Sequence, residues 1–266
     1  MKIKIFNLNF FGLPLFFNKE IRYRFLLQKI KKLSPDLIFL QEIIFRKDVQ
    51  KLASSLEERG YKTYFKLGRV FNRGGLFIGS RLKVIQADFV PFTDQGPIFS
   101  SAFFERLIIK GFLYIEIREF KKEFFLATSH LCYYEHFYLK HQKEPLTSLA
   151  QTKQIIAFFK NKKNVIIGGD FNFLPEARSY ALMKDKGRYK EVSKGRIKTL
   201  SPENFNRQKF LKLGITHLKP ITFDYIFYKG GIKRIKAKRI ADKPFVFQKK
   251  SYYLSDHYGI EAVLEI

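Results

Sequence analysis

Asp170 and Asn172 stand directly after the apolar run Val165-Ile166-Ile167-Gly168-Gly169. Two residues apart on an extended backbone, their side chains point to one side. A carboxylate and an amide aimed together suit a phosphate: the acid takes a proton from water, and the amide donates a hydrogen bond to a phosphoryl oxygen. The two glycines before Asp170 let a second backbone or a ligand approach closely. The other reading of this pair is a turn in which Asp and Asn cap loop amides.

The same pattern of a polar residue closing an apolar run recurs along the chain. Glu42 follows Leu37-Ile38-Phe39-Leu40-Gln41, and Asn9 closes the first run and leads into Gly12-Leu13-Pro14. His130 ends Phe124-Phe125-Leu126-Ala127-Thr128-Ser129, where a satisfied core histidine is the competing explanation. Polar groups at strand ends are where sheet proteins place their sites, because loops carry function on a rigid scaffold. Asp224 lies inside Phe223-Asp224-Tyr225-Ile226-Phe227; a buried acid must be paired or hydrogen-bonded, and a histidine is a natural partner. Ser255-Asp256-His257 precedes the final apolar run. Asp256 and His257 can reach one pocket only from a loop or bulge, because neighbours in a regular strand face opposite ways.

Other signatures are missing. The sequence holds no G-x-x-x-x-G-K loop, no H-E-x-x-H pair and no G-x-S-x-G elbow. His136 and His141 are five apart, off the spacing that presents two ligands on one helix face, and read as solvated or loop residues.

The elements that must position these groups follow from periodicity. Lys2 to Leu8 reads as a strand with Ile3 and Ile5 on one face. Leu26, Ile30 and Leu33 give a helix ended by Ser34-Pro35, and Asp36 to Gln41 a buried strand. Val49, Leu52, Ala53 and Leu56 mark a second helix closed by Gly60. Strands are predicted at Gly75–Ser80, Lys83–Val90, Gly111–Ile117 and Glu123–Ser129, with Lys121-Lys122 at the turn joining the last two. A helix through Leu149, Ile155, Ile156 and Phe159 precedes the strand Asn164–Gly168. Strands at Phe223–Tyr228 and Tyr258–Ile266 close the chain. Lys184 to Thr216 reads as long loops, and the basic run Lys229 to Lys250 as a solvated face or a track for a phosphate backbone. Helices and hairpins mixed in this way point to an α/β chain with packed sheets and helices outside. Without repeats or a linker, residues 1–266 read as one domain.

The 266 residues carry 50 Lys and Arg against 24 acids, a net charge of +26. Such an excess draws in polyanions, whether nucleic acid or an anionic membrane face. A compositional bias toward Lys, Phe, Ile and Tyr explains the charge equally well. Cys132 is the single cysteine, so neither an internal disulfide nor a thiolate zinc cluster can form. No apolar run is long enough for a transmembrane segment, and the start reads as a strand instead of a signal peptide. A cytoplasmic location and a monomer are the expectations.

Taken in order, F-N-L-N-F-F-G-L-P, L-Q-E, T-S-H-L, G-G-D-F-N, F-D-Y-I-F and S-D-H resemble the endonuclease/exonuclease/phosphatase superfamily, the deoxyribonuclease I-like proteins, over nearly the whole chain. The opening segment and K-G-F-L-Y look most like the neutral sphingomyelinase branch, although that branch usually reads T-H-L-Q where Cys132 stands here. The resemblance implies a four-layer α/β/β/α sandwich of two packed mixed β-sheets. It implies Glu42 as the main metal-binding carboxylate, with Asn9 and Asp256 as secondary ligands and Asn7 as a rival to Asn9. Asp170 and Asn172 match the water-activating and phosphate-positioning pair. His257, oriented by Asp224, matches the essential histidine, and His130 a second phosphate-contacting histidine.

Oxygen ligands without thiolates favour Mg²⁺ or Mn²⁺. The expected reaction is hydrolysis of a phosphodiester by in-line attack of activated water, with either Asp170 or His257 as base. The expected partner is nucleic acid, in a nuclease or DNA-repair setting. A sphingomyelinase-like enzyme acting on an anionic or choline-headed phospholipid, with Leu15-Phe16-Phe17 touching lipid, is the alternative. An inactive nucleic-acid-binding module is the third reading.

Overall fold

The computed structural model describes residues 1–12, 18–96, 106–133, 144–206 and 219–266. His136, His141 and Leu15-Phe16-Phe17 lie outside these residues. In chain order the strands are β1 (Lys2–Asn9), β2 (Leu37–Gln41), β3 (Lys62–Tyr64), β4 (Phe77–Ser80), β5 (Val84–Pro91), β6 (Gly111–Glu119), β7 (Lys122–His130), β8 (Asn164–Asp170), β9 (Lys190–Glu191), β10 (Asp224–Lys229), β11 (Lys233–Ile240), β12 (Phe245–Phe247), β13 (Lys250–Tyr252) and β14 (Gly259–Glu265). The helices are α1 (Lys19–Leu33), α2 (Arg46–Glu57), α3 (Leu146–Phe158) and α4 (Arg178–Asp185).

Two six-stranded sheets result, ordered β11-β14-β1-β2-β4-β3 and β5-β6-β7-β8-β10-β9, with β12 and β13 forming a separate hairpin. Each large sheet has one parallel pair at its centre, β1 with β2 and β7 with β8. The remaining pairs are antiparallel, so both sheets are mixed.

Alternation along the strands builds the layers. Ile3, Ile5, Leu37 and Phe39 of the first sheet meet Leu126, Ile166 and Ile226 of the second in one core. On the opposite face of the first sheet, Phe6, Leu8, Ile38 and Leu40 pack on Leu26 and Ile30 of α1 and Val49, Leu52 and Leu56 of α2. On the outer face of the second, Phe125, Ala127, Val165, Ile167 and Phe227 pack with Ile155 of α3 and Met183 of α4. This is the four-layer α/β/β/α sandwich.

The sequence reading needs correction in the basic stretch that starts at Lys184. The stretch from Lys184, expected to be loops, holds the end of α4, the strand β9 and a bridge between Leu200 and Ile221. The run from Lys229, read as a solvated face or a track for a phosphate backbone, is ordered as β11 and the β12–β13 hairpin, and the cations of β11 are exposed. Charged residues at most positions of β11 hide the alternation by which strands are recognised, because the strand sits at a sheet edge with little to bury.

Candidate active site

The strand faces that build the core between the sheets change character at one end. On β1 the inward residues run Ile3, Ile5, Asn7, Asn9, and on β2 Leu37, Phe39, Gln41. On β7 they run Phe124, Leu126, Thr128, His130, on β8 Ile166, Gly168, Asp170, and on β10 Tyr228, Ile226, Asp224. Register carries these polar ends together: Asn9 pairs with Gln41, and Asp170 sits between His130 and Asp224. The floor of this polar pocket is a bond between sheets. Gln41 Nε2 donates to Asn7 Oδ1 at 3.0 Å and to Thr128 Oγ1 at 2.8 Å.

Above that floor, Asn9 Nδ2 lies 2.9 Å from Glu42 Oε1 and 2.9 Å from Asp170 Oδ2, so one amide joins carboxylates from the two sheets. Strict alternation would turn Glu42 away from the seam. Instead its backbone is left-handed, with φ 59°, and the chain turns there so that the carboxylate stays inside. A β-carbon on Gly12 would sit 2.0 Å from Glu42 O, so the loop after β1 can close on this turn only at a glycine.

Burial, followed by the neighbouring Asp256, raises the Glu42 carboxyl above its ordinary range. Its Oε2 is buried with no hydrogen-bond partner. An ionised carboxylate in such a place needs a positive partner, because desolvation costs several kcal/mol per ion. The oxygen-rich donor set fits a hard divalent cation. A second group of donor atoms, on Asp170, Asp224 and His257, lies within 4.8 Å of one another. There, however, His257 Nδ1 already contacts Asp224 Oδ2 at 2.8 Å, so one donor of that group is committed.

His257 occupies the loop between β13 and β14, as the Asp-His pairing required. Ser255 Oγ donates to Asn9 O at 2.6 Å, and His257 N donates to Ser255 Oγ at 3.1 Å, so the loop hangs from the end of β1. Burial alone would lower the imidazole pKa. The carboxylates of Asp224, Asp256 and Asp170 outweigh it and push His257 up to about 10. The Asp170 carboxyl is raised as well, to about 7, by burial and then by Asp224, which favours its neutral form. Burial, with Lys110 and His257 nearby, takes His130 well below its usual value, which keeps that ring neutral. The Nε2 atoms of His130 and His257 stand 3.6 and 3.8 Å from Asp170 Oδ2, too far for hydrogen bonds.

Asn172 departs from the extended geometry expected of it. β8 stops at Asp170, and Asn172 is left-handed with φ 50°. Its backbone N–H donates to Asp170 Oδ1 at 3.0 Å, and its Nδ2 donates to Leu131 O at 3.0 Å. Asp170 thus caps a loop amide while Asn172 holds a loop carbonyl, and the second N–H of the Asn172 amide is not used in that bond.

Two buried residues that hold the backbone behind the pocket carry no sequence motif. Arg22 of α1 is buried, and its guanidinium donates to the carbonyls of Phe10, Phe11 and Leu254, clamping the loop after β1 to the one before β14. Its signal is a cation on the Leu26–Ile30 stripe, four residues from Leu26. Thr199 Oγ1 accepts from the amides of Phe223 and Asp224 at 3.1 and 3.2 Å, while Thr199 O accepts from Tyr258 N. It ties Asp224 to the residue after His257. Nothing in the polar stretch around Thr199 announces that.

With the geometry in place, comparison with known proteins is informative. The sequence profile of the Endonuclease/Exonuclease/phosphatase family matches residues 6–257, a span holding every residue of the pocket. Among solved structures, D. rerio TDP2 complexed with a single-strand DNA product shares 20% identity over 100% of this chain and 99% of that one, with a TM-score of 0.73. Truncated Caenorhabditis elegans TDP2 shares 18% over 100% and 98%, with a TM-score of 0.73. Sphingomyelinase C from Streptomyces griseocarneus shares 17% over 99% of each chain, with a TM-score of 0.71. At such identities the likeness is one of fold. No protein of curated function matches the sequence.

Proposed function

Because the chain belongs to the Endonuclease/Exonuclease/phosphatase family, we propose that it is a divalent-metal-dependent phosphodiesterase acting on nucleic acid. The observation that carries this reading is the convergence of Glu42 and Asp170, from different sheets, on the single amide of Asn9, beside the His257–Asp224 pair.

Glu42 would hold the cation, Mg²⁺ or Mn²⁺, with Asn9 and Asp256 beside it. Asn9 is preferred to Asn7 because its amide meets both Glu42 and Asp170, whereas the Asn7 amide lies in the floor against Gln41. The bound ion would neutralise charge gathering on the phosphoryl oxygens. Asp170, held near neutrality, takes the proton of the attacking water as the new P–O bond forms. His257, kept cationic by Asp224, gives a proton to the departing oxygen as the old P–O bond breaks. The neutral His130 and the remaining N–H of Asn172 donate to phosphoryl oxygens.

A phospholipid substrate is the second reading, favoured by the fold shared with sphingomyelinase C. The deciding experiment is Mg²⁺-dependent hydrolysis of bis-p-nitrophenyl phosphate, plasmid DNA and sphingomyelin vesicles by the wild type, Glu42→Ala and His257→Ala. Cleavage of DNA that both substitutions abolish supports the proposal. Turnover of sphingomyelin alone replaces it, and no turnover of any substrate returns the chain to the inactive-module reading.

A further inference from the structure

Of the four edge strands of the two large sheets, the two long ones, β11 and β5, have eight residues each and opposite character. β11, K-R-I-K-A-K-R-I, has five cations in eight residues and no acid, and all five cations are exposed. β5, V-I-Q-A-D-F-V-P, has no cation and one acid. A compositional drift toward lysine would load both edges alike. Protection against edge-to-edge pairing does not explain the difference either. Both strands carry a register irregularity that spoils such pairing, and β5 manages without a cation.

The cations of β11 follow one another along the edge strand and alternate between its two faces. Register puts Lys233, Lys236 and Lys238 on the face of Val263 and Glu261, and Arg234 and Arg239 on the face of Leu264 and Ile260. From Lys233 to Arg239 this row is roughly 20 Å long at strand rise. Lys238 contacts Glu261 and Arg239 contacts Asp242. Among the described residues no ion pair holds Lys233, Arg234 or Lys236.

The row leads to the pocket. Ile240 pairs with Gly259, so this end of β11 lies beside the loop that carries Asp256 and His257. The Arg239 guanidinium sits 5.0 Å from the ring of Tyr258, the residue after His257. Beyond Ala241 the charge continues into a surface cavity edged by Lys29, Lys32 and Lys243, with Leu254 also in its lining.

We propose that the exposed edge of β11 is a binding track for a nucleic-acid strand whose scissile phosphate lies in the pocket. The inference rests on the phosphodiesterase reading and names how its substrate is held outside the reacting centre. A linear polyanion matches a row of cations, each of which releases counterions when it meets a phosphate. β11 itself has no aromatic residue to enter a headgroup layer, whereas Phe25 and Phe245 line the cavity beyond it, so binding to anionic vesicles is the competing outcome of the test.

The test is binding of a fluorescent single-stranded oligonucleotide in EDTA, followed by anisotropy across a salt series. It needs no turnover, so it can fail independently of the proposed reaction. The triple variant Lys233→Thr, Arg234→Thr, Lys236→Thr keeps strand-favouring residues and leaves the pocket intact. It should weaken binding at least about tenfold and lower the slope of log affinity against log salt by about 2, near 0.7 per lost contact. Its hydrolysis of bis-p-nitrophenyl phosphate should be unchanged, and if the triple variant misfolds, Lys236→Thr alone must carry a share of the slope change. The control Lys153→Gln, Lys160→Gln, Lys163→Gln removes equal charge elsewhere. A β11 variant that binds like wild type, or a control that loses as much, overturns the proposal. So does a β11 variant that loses only binding to phosphatidylserine vesicles.

Discussion

His257 and Asp224 meet across the seam between the sheets: Nδ1 of the histidine, in the loop before β14, lies 2.8 Å from Oδ2 of the aspartate that begins β10. Neither sheet alone contains the pair. Its geometry therefore reports how well the two sheets are seated on each other.

Asp224→Asn removes the main charge that holds His257 protonated. In the metal-free protein the imidazole titration, followed by NMR, should fall from about 10. Phosphodiester turnover should drop about 10²- to 10⁴-fold. The raised pKa contributes stability that is fully present below the unfolded value of 6.5 and is lost as pH rises through about 10. The stability deficit of Asp224→Asn should therefore be larger at neutral pH than above pH 10. An unchanged titration would show that Asp224 does not set the charge of His257.

Asp170 gives a slope of its own. Its carboxyl is raised to about 7, so the folded protein binds this proton more tightly than the unfolded chain. That contribution is complete below the ordinary aspartate value and is lost as pH rises through about 7. Urea midpoints of the metal-free wild type should decline across this window. Asp170→Asn should flatten the decline.

Glu42→Gln separates cation binding from folding. Removing a buried negative charge should raise the melting temperature of the metal-free protein, while the increase that Mg²⁺ gives the wild type should disappear. Turnover should fall by at least about 100-fold. A Mg²⁺-dependent increase that survives in the variant would assign the cation to the Asp170, Asp224 and His257 group instead.

Thr199→Val keeps the shape but withdraws the acceptor shared by the amides of Phe223 and Asp224. The expected cost is about 1–3 kcal/mol of stability, read from denaturant melts. We also expect lower kcat with little change in KM, because Thr199 is fully buried and acts through the backbone of Phe223 and Asp224. Thr199→Ser should restore both. Equal losses in the two variants would assign the effect to packing.

Much of this site was legible because strand parity carries from the core into the pocket. Ile3 and Ile5 share a face with Asn9, and Leu126 shares one with His130, so a polar residue at the end of an apolar run already pointed inward. Glu42 was legible as a residue type, but its left-handed turn was not. Asn172 was found for the wrong geometric reason, since the extended backbone ends at Asp170. Arg22 and Thr199 act through backbone carbonyls and amides far away in the chain, contacts that leave no local pattern. β11 escaped because an edge strand buries too little to write an alternation.

The first sheet is assembled from both ends of the described chain: β1, β2, β3 and β4 come early, and β11 and β14 come late. β14 inserts between β11 and β1, and the loop before it carries Asp256 and His257. During synthesis, then, a nascent chain that has exposed Glu42, His130 and Asp170 still lacks Asp256 and His257. The pocket is therefore completed only when β14 has emerged and found its place between β11 and β1.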